Sequence, residues 1–136
     1  MPEFTSSSLF LWGKIASSLF FAILFLQSGL DKVFDYKGNS DWIKVHFSKS
    51  FLKNGIPFVL PVLMISEIIS GTFSLIGAMA LLLHRGQEIA FYGLIFSILS
   101  LLFLFFGQRI AKDYVGAADI AVYFGVALLS VLVFSA

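Results

Sequence analysis

The chain of 136 residues contains no cysteine. That excludes a disulfide, a thiolate zinc site, an iron–sulfur cluster and a dithiol relay. Charge is equally scarce: 12% of residues are Asp, Glu, Lys or Arg, and the net charge is +1. A nucleic-acid partner is therefore not expected, because its electrostatic footprint is missing. Intrinsic disorder is excluded from the other side, since 59% of the residues are hydrophobic. Water-soluble domains carry about 25% charge. This is the composition of a small all-α integral membrane protein.

A helix needs about 20 mostly apolar residues to cross a hydrocarbon core. Four segments meet that length, at about Leu9–Leu30, Ile56–Leu83, Ile89–Gly107 and Tyr114–Phe134. Together they read as one domain, residues 1–136, folded as a four-helix bundle. Lys14 is close enough to the first span's outer end to snorkel. Pro57 and Pro61 fall in the opening turns of the second span, where a missing N–H costs least. A cleaved signal peptide is not expected, because the start Met-Pro-Glu-Phe-Thr-Ser is acidic and the apolar run is long.

Between the first two spans, Ile43, Phe47 and Phe51 recur every four residues, with Asp41, Lys44 and Ser48 on the other side. With Trp42 at its start, this pattern predicts an amphipathic helix in the headgroup region; a cap over the bundle is the alternative. Loops one and three hold Lys32, Lys37, Lys44, Lys49, Lys53, Arg109 and Lys112, against Lys14 and Arg85 on the other side. The positive-inside rule then puts loops 31–55 and 108–113 in the cytoplasm. Small residues recur at four-residue spacing in the second span (Ser66, Ser70, Ser74, Ala78) and in the fourth (Ala117, Ala121, Gly125). These stripes are expected to bring helices together within the chain or across a homodimer.

Ionisable side chains at bilayer depth each need a partner or a use. Glu67 lies ten residues past Pro57, about 15 Å along the helix, near the midplane. Gln27, Asp31 and Lys32 end the first span, Gln108 and Arg109 end the third, and Asp119 lies about five residues into the fourth. Tyr123 follows Asp119 by one turn. All these ends share a side, so a single polar funnel with Glu67 at its floor is expected. Lys32 or Arg109 would neutralise Glu67 or Asp119. Structural glue between helices is the alternative reading of the same charges. No metal site is expected, since His46 and His84 occupy loops on opposite sides of the membrane. There is no nucleotide-binding glycine fingerprint and no nucleophile–base arrangement. No covalent cofactor is expected either, so electrons would come from a bound quinone or a partner protein.

Three segments carry a resemblance. Phe25-Leu-Gln-Ser-Gly-Leu-Asp-Lys-Val-Phe34 resembles the SG-x-x-K end of the first helix in DoxX-like membrane proteins. Glu67 followed by Gly71 and Gly77 is similar to their second-helix E-x-x-x-G pattern. The stretch Phe106-Gly-Gln-Arg-Ile-Ala-Lys-Asp-Tyr-Val-Gly-Ala-Ala-Asp119 is similar to the same group. One departure is Trp12-Gly-Lys14, where an arginine is expected. The resemblance implies a subunit like those associated with thiosulfate:quinone oxidoreductase and redox-stress complexes, working beside a partner redox protein. It implies that Glu67 and Lys32, with Arg109 and Asp119, line the functional pocket. Glu67 and Lys32 are the candidate catalytic pair, and Gln27, Asp31, Arg109, Asp119 and Tyr123 the candidate ligand-binding set. The expected location is a bacterial cytoplasmic membrane. A non-catalytic bundle that binds a partner or lipid is the rival, and permeation of a proton or small solute is the third possibility.

Overall fold

A computed structural model describes residues 5–136. Residues 1–4, on which the signal-peptide expectation partly rests, lie outside the described residues. Among those described, the elements are α1 (Ser6–Phe34), α2 (Tyr36–His46), a 3-10 turn (Phe51–Asn54), α3 (Ile56–Leu82), α4 (Glu88–Ile110) and α5 (Tyr114–Phe134). Four of them, α1, α3, α4 and α5, are long and apolar enough to cross a membrane. The protein is an all-α, integral membrane four-helix bundle.

Side-chain oxygens cap the starts of α1, α2 and α5. Thr5 caps α1 in a reciprocal box with Ser8, and Asp113 caps α5 by accepting from the Gly116 amide at 2.9 Å. Asp35 both ends α1 and caps α2, so the chain turns there within one residue. Pro57 occupies the opening turn of α3 as expected. Pro61 lies further in, inside the helix, and supplies no N–H for the carbonyl of Pro57. Two non-glycine residues in the left-handed region, His84 (φ 54°) and Lys112 (φ 59°), close the α3–α4 and α4–α5 connections. The third span is longer than the sequence suggests: Gln108, Arg109 and Ile110 complete the last turn of α4 instead of forming a loop. Ile110 is drawn into the helix because it packs against a buried cluster below α2.

α3 is the central helix, packed most extensively on α1 and α4, while α5 leans mainly on α4. Lipid gives no hydrophobic drive for these contacts, so close approach has to supply the attraction. At Gly71 a Cβ would sit 2.7 Å from the Leu26 backbone nitrogen of α1, and at Gly77 it would run into the backbone of Ala90 in α4. Ser70 and Ser100 share a hydrogen bond of 3.0 Å between α3 and α4, and Ser130 donates to Ser17 at 3.0 Å between α5 and α1. The α3 stripe is buried from Ser70 through Ala78, as its spacing implies. The α5 stripe is not. Ala117 is buried, but Ala121 and Gly125 are exposed, and α5 packs through Ala127, Ser130 and Phe134 instead. Over eight residues a four-residue spacing drifts about 80° from the helical repeat, enough to carry Gly125 off the contact face.

α2 caps the loop-one end of the bundle. Ile43 and Phe47 are buried with Ile56 and Leu60 of α3, while Trp42 and Val45 remain exposed. The expected stripe stops short of Phe51, which is 76% exposed in the 3-10 turn. Ser48 and Ser50 explain the break. Their hydroxyls donate to the carbonyls of Val45 and Phe47, and Ser50 then caps the 3-10 turn, so side chains replace the helical ladder.

Candidate functional site

Ser28 and Lys32 are four residues apart on one face of α1, and that face meets Glu67 on α3. Lys32 Nζ lies 2.9 Å from Glu67 Oε2, and Ser28 Oγ donates to the same oxygen at 3.0 Å. Lys32 Nζ also donates to Ser28 Oγ at 2.9 Å and to the Ser28 carbonyl at 3.3 Å. Glu67 is 1% exposed and the Lys32 side chain 11%. The pair is thus layered, with the ammonium group at the rim and the carboxylate behind it. Of the charge pairings open to the sequence, this is the one that forms.

The other candidates lie elsewhere. Gln27 and Asp31 are on the exposed side of α1. Arg109 is exposed, its guanidinium 4.6 Å from the centre of the Tyr114 ring. Tyr123 is half-buried and packs beside Phe20, ring centres 6.1 Å apart. Asp119 is exposed. Two residues past buried Ala117, it is turned about 200° around the helix, away from the bundle. Its helix also packs on α4 and α1 rather than on α3, which carries Glu67. The single funnel joining Glu67, Arg109 and Asp119 is therefore not formed. The ionisable residues divide into a buried pair and separate surface groups.

A second polar cluster was not anticipated from the sequence. His46, the last residue of α2, hydrogen-bonds through Nε2 to Gln108 Oε1 at 2.6 Å and stands 3.8 Å from Asp113 Oδ2. Trp42 stacks on the His46 ring, centres 4.5 Å apart. This latch fastens the cap to the α4–α5 connection. Beneath it is a cavity of about 160 Å³ between α2, α3 and α4, lined among others by Trp42, His46, Phe47, Leu63, Phe103 and Gln108. The sequence signal for the latch was slight: one histidine at the end of an apolar stripe, and one aspartate three residues before a glycine.

Comparisons of the chain with protein-family models, curated proteins and solved structures find no match.

Proposed function

We propose that the protein is a DoxX-like, redox-associated component of a bacterial cytoplasmic membrane, a quinone-linked oxidoreductase subunit whose ionisable centre is Lys32 and Glu67. Loops 31–55 and 108–113 then face the cytoplasm. The observation that supports this reading is the layered ion pair on the strongly basic side of the bundle. A carboxylate at bilayer depth is costly, and among the described residues Glu67 is held by two side chains of one neighbouring helix.

The residues fit a quinone head group. Lys32 retains some exposure, so by giving up its 3.3 Å bond to the Ser28 carbonyl its ammonium group can donate to a quinone carbonyl. Glu67 behind it is placed to hold or release a proton through Lys32 and Ser28. A quinone supplies two-electron, two-proton chemistry when bound. The chain has no cysteine to form a dithiol relay or hold an iron–sulfur cluster, so a partner redox protein is the proposed electron source. Ala121 and Gly125, small and outward-facing, are where a neighbouring helix or a second copy would approach.

One observation favours the non-catalytic bundle. Lys32 makes three hydrogen bonds, all inside the α1–α3 pair, so the cluster satisfies itself. Mass spectrometry of the protein extracted in mild detergent, with quinone and protein partners assayed together, separates the readings. Co-purified quinone, with quinone reduction lost in Glu67→Gln at normal expression, is the expected outcome. Absence of quinone, with Glu67→Gln lowering only thermal stability, overturns it for the structural reading.

A further inference from the structure

α5 turns toward lipid a face that the bundle does not use. Inside the chain it packs through Ala117, Ala127, Ser130 and Phe134. On the other side Val115, Ala118, Val122, Gly125, Leu129 and Leu132 are all exposed. Their spacing alternates between three and four residues, the seven-residue repeat of a helix that packs lengthwise on a neighbour. Ala118 and Gly125 are small enough for two backbones to approach there. The outward face of α4 carries Tyr92, Leu99 and Phe106 instead, and such side chains hold a neighbouring helix at a distance.

Gly125 differs from the other glycines within the spans. Gly29, Gly71, Gly77 and Gly93 each lie against the backbone of another helix, so the lack of a Cβ has a use inside the chain. A Cβ at Gly125 meets nothing within 4 Å. Glycine weakens a helix relative to alanine, and no contact in the single chain offsets that loss.

Charge identifies the occupant of this face. Asp119 lies about 7.5 Å inside the loop-three end of α5, at a depth where a carboxylate needs a partner. The ion pairs among the described residues are Lys32–Glu67 and His46–Asp113, so Asp119 and Arg109 form none. Arg109 instead stacks on the exposed ring of Tyr114. Tyr114 and Asp119 stand on opposite flanks of the exposed seam, five residues apart. Between parallel helices paired in register on such a seam, residues with that spacing face each other across the interface. Two copies related by a two-fold axis along the membrane normal have parallel α5 helices, so Tyr114 of each copy faces Asp119 of the other.

We infer that the outward face of α5 is a two-fold docking surface for a second copy of this chain. The backbones come closest at Ala118 and Gly125, and the larger seam residues pack around them. At the loop-three end the Tyr114 hydroxyl of one copy donates to the Asp119 carboxylate of the other, and Arg109 on that ring supplies the opposite charge. The contact occurs twice in the dimer. It uses neither Lys32 nor Glu67 and does not rest on the quinone-linked reading.

Because the chain has no cysteine, single cysteines report the interface. In native membranes under mild oxidation, Val122→Cys and Leu129→Cys should form disulfide-linked dimers. Leu99→Cys on α4 and Ile23→Cys on α1, comparably open to lipid, should not. Energy transfer between fluorophores on Arg85→Cys, in phosphatidylcholine vesicles of decreasing protein density, gives the dimer constant and should fit a two-chain equilibrium. Tyr114→Phe should weaken the dimer about fivefold to tenfold, the worth of two interhelical hydrogen bonds. Asp119→Leu should weaken it at least as much, and adding Tyr114→Phe to Asp119→Leu should change little more. Gly125→Leu should abolish dimer formation with the helical circular dichroism retained, since the position is open within the chain. Energy transfer no greater than random proximity at every density overturns the inference. So do equal cross-linking at Leu99→Cys, strictly additive effects of Tyr114→Phe and Asp119→Leu, or a seam cysteine linked to a different membrane protein with no dimer formed. No reduction is measured, so failure here is distinct from failure of the quinone-linked reading, which Glu67→Gln addresses.

Discussion

Glu67 of α3 reaches α1 through a single carboxylate oxygen, Oε2, which receives both Lys32 Nζ at 2.9 Å and Ser28 Oγ at 3.0 Å. Charge complementarity and a hydroxyl one helical turn earlier therefore converge on one point of the most extensive interface in the bundle.

Breaking that convergence from one side leaves a charge buried and alone. Lys32→Met should destabilise the protein by about 3–5 kcal/mol, and Glu67→Leu by a similar amount. The double variant Lys32→Met/Glu67→Leu should recover most of the loss, because no uncompensated charge remains. Reversible unfolding in mixed micelles, read as a double-mutant cycle, measures the coupling. Additive losses contradict a direct ion pair.

Steric demand separates glycines that look alike in the sequence. Gly77→Val should cost about 1–3 kcal/mol or prevent folding, because its first side-chain atom meets the Ala90 backbone. Gly125→Ala should be neutral or slightly stabilising: an added Cβ there has nothing within 4 Å, and alanine is the better helix former. Thermal denaturation of the two variants side by side checks both directions.

The cap over the bundle depends on its latch. Gln108→Ala should release α2 before the rest of the protein, raising amide hydrogen exchange through residues 36–46 while the spanning helices keep their protection. Asp113→Ala removes the α5 N-cap as well, so it should cost about 1 kcal/mol of stability in addition. Exchange mass spectrometry in detergent resolves the two effects. Unchanged exchange in α2 for both variants argues against the latch.

The orientation is testable because the chain has no cysteine of its own. Single variants Lys37→Cys and Arg85→Cys place one thiol in the first loop and one in the second. A membrane-impermeant maleimide on intact spheroplasts should label the cysteine at position 85 and leave the one at 37 until the cells are opened. The reverse pattern inverts the proposed topology.

Much of the fold was legible in the chain. The four spans follow from the length of apolar runs, a one-dimensional property set by bilayer thickness, and α5 was located to the residue. Helix ends were less legible where tertiary contact decided them. Ile110 joins α4 because there is an apolar cluster for it to cover, and Phe51 leaves the α2 stripe because serine hydroxyls end the helix first. The pairing of Lys32 with Glu67 was among the alternatives the sequence allowed. The convergence of all the ionisable ends was not realised.

Composition and the length of apolar runs by themselves determined that this is a four-span membrane bundle with most of its basic residues at one end, because both are counts along the chain; whether the amphipathic segment lies among headgroups or caps the bundle was left open. Which face each helix turns inward was decided only in three dimensions. A rotation of about 100° per residue puts Asp119 on the surface when Ala117 is buried, while Glu67 is carried into the α1–α3 contact. The cavity beneath α2 belongs to that same level, since its walls come from three helices separated in the chain and exist only once those helices pack.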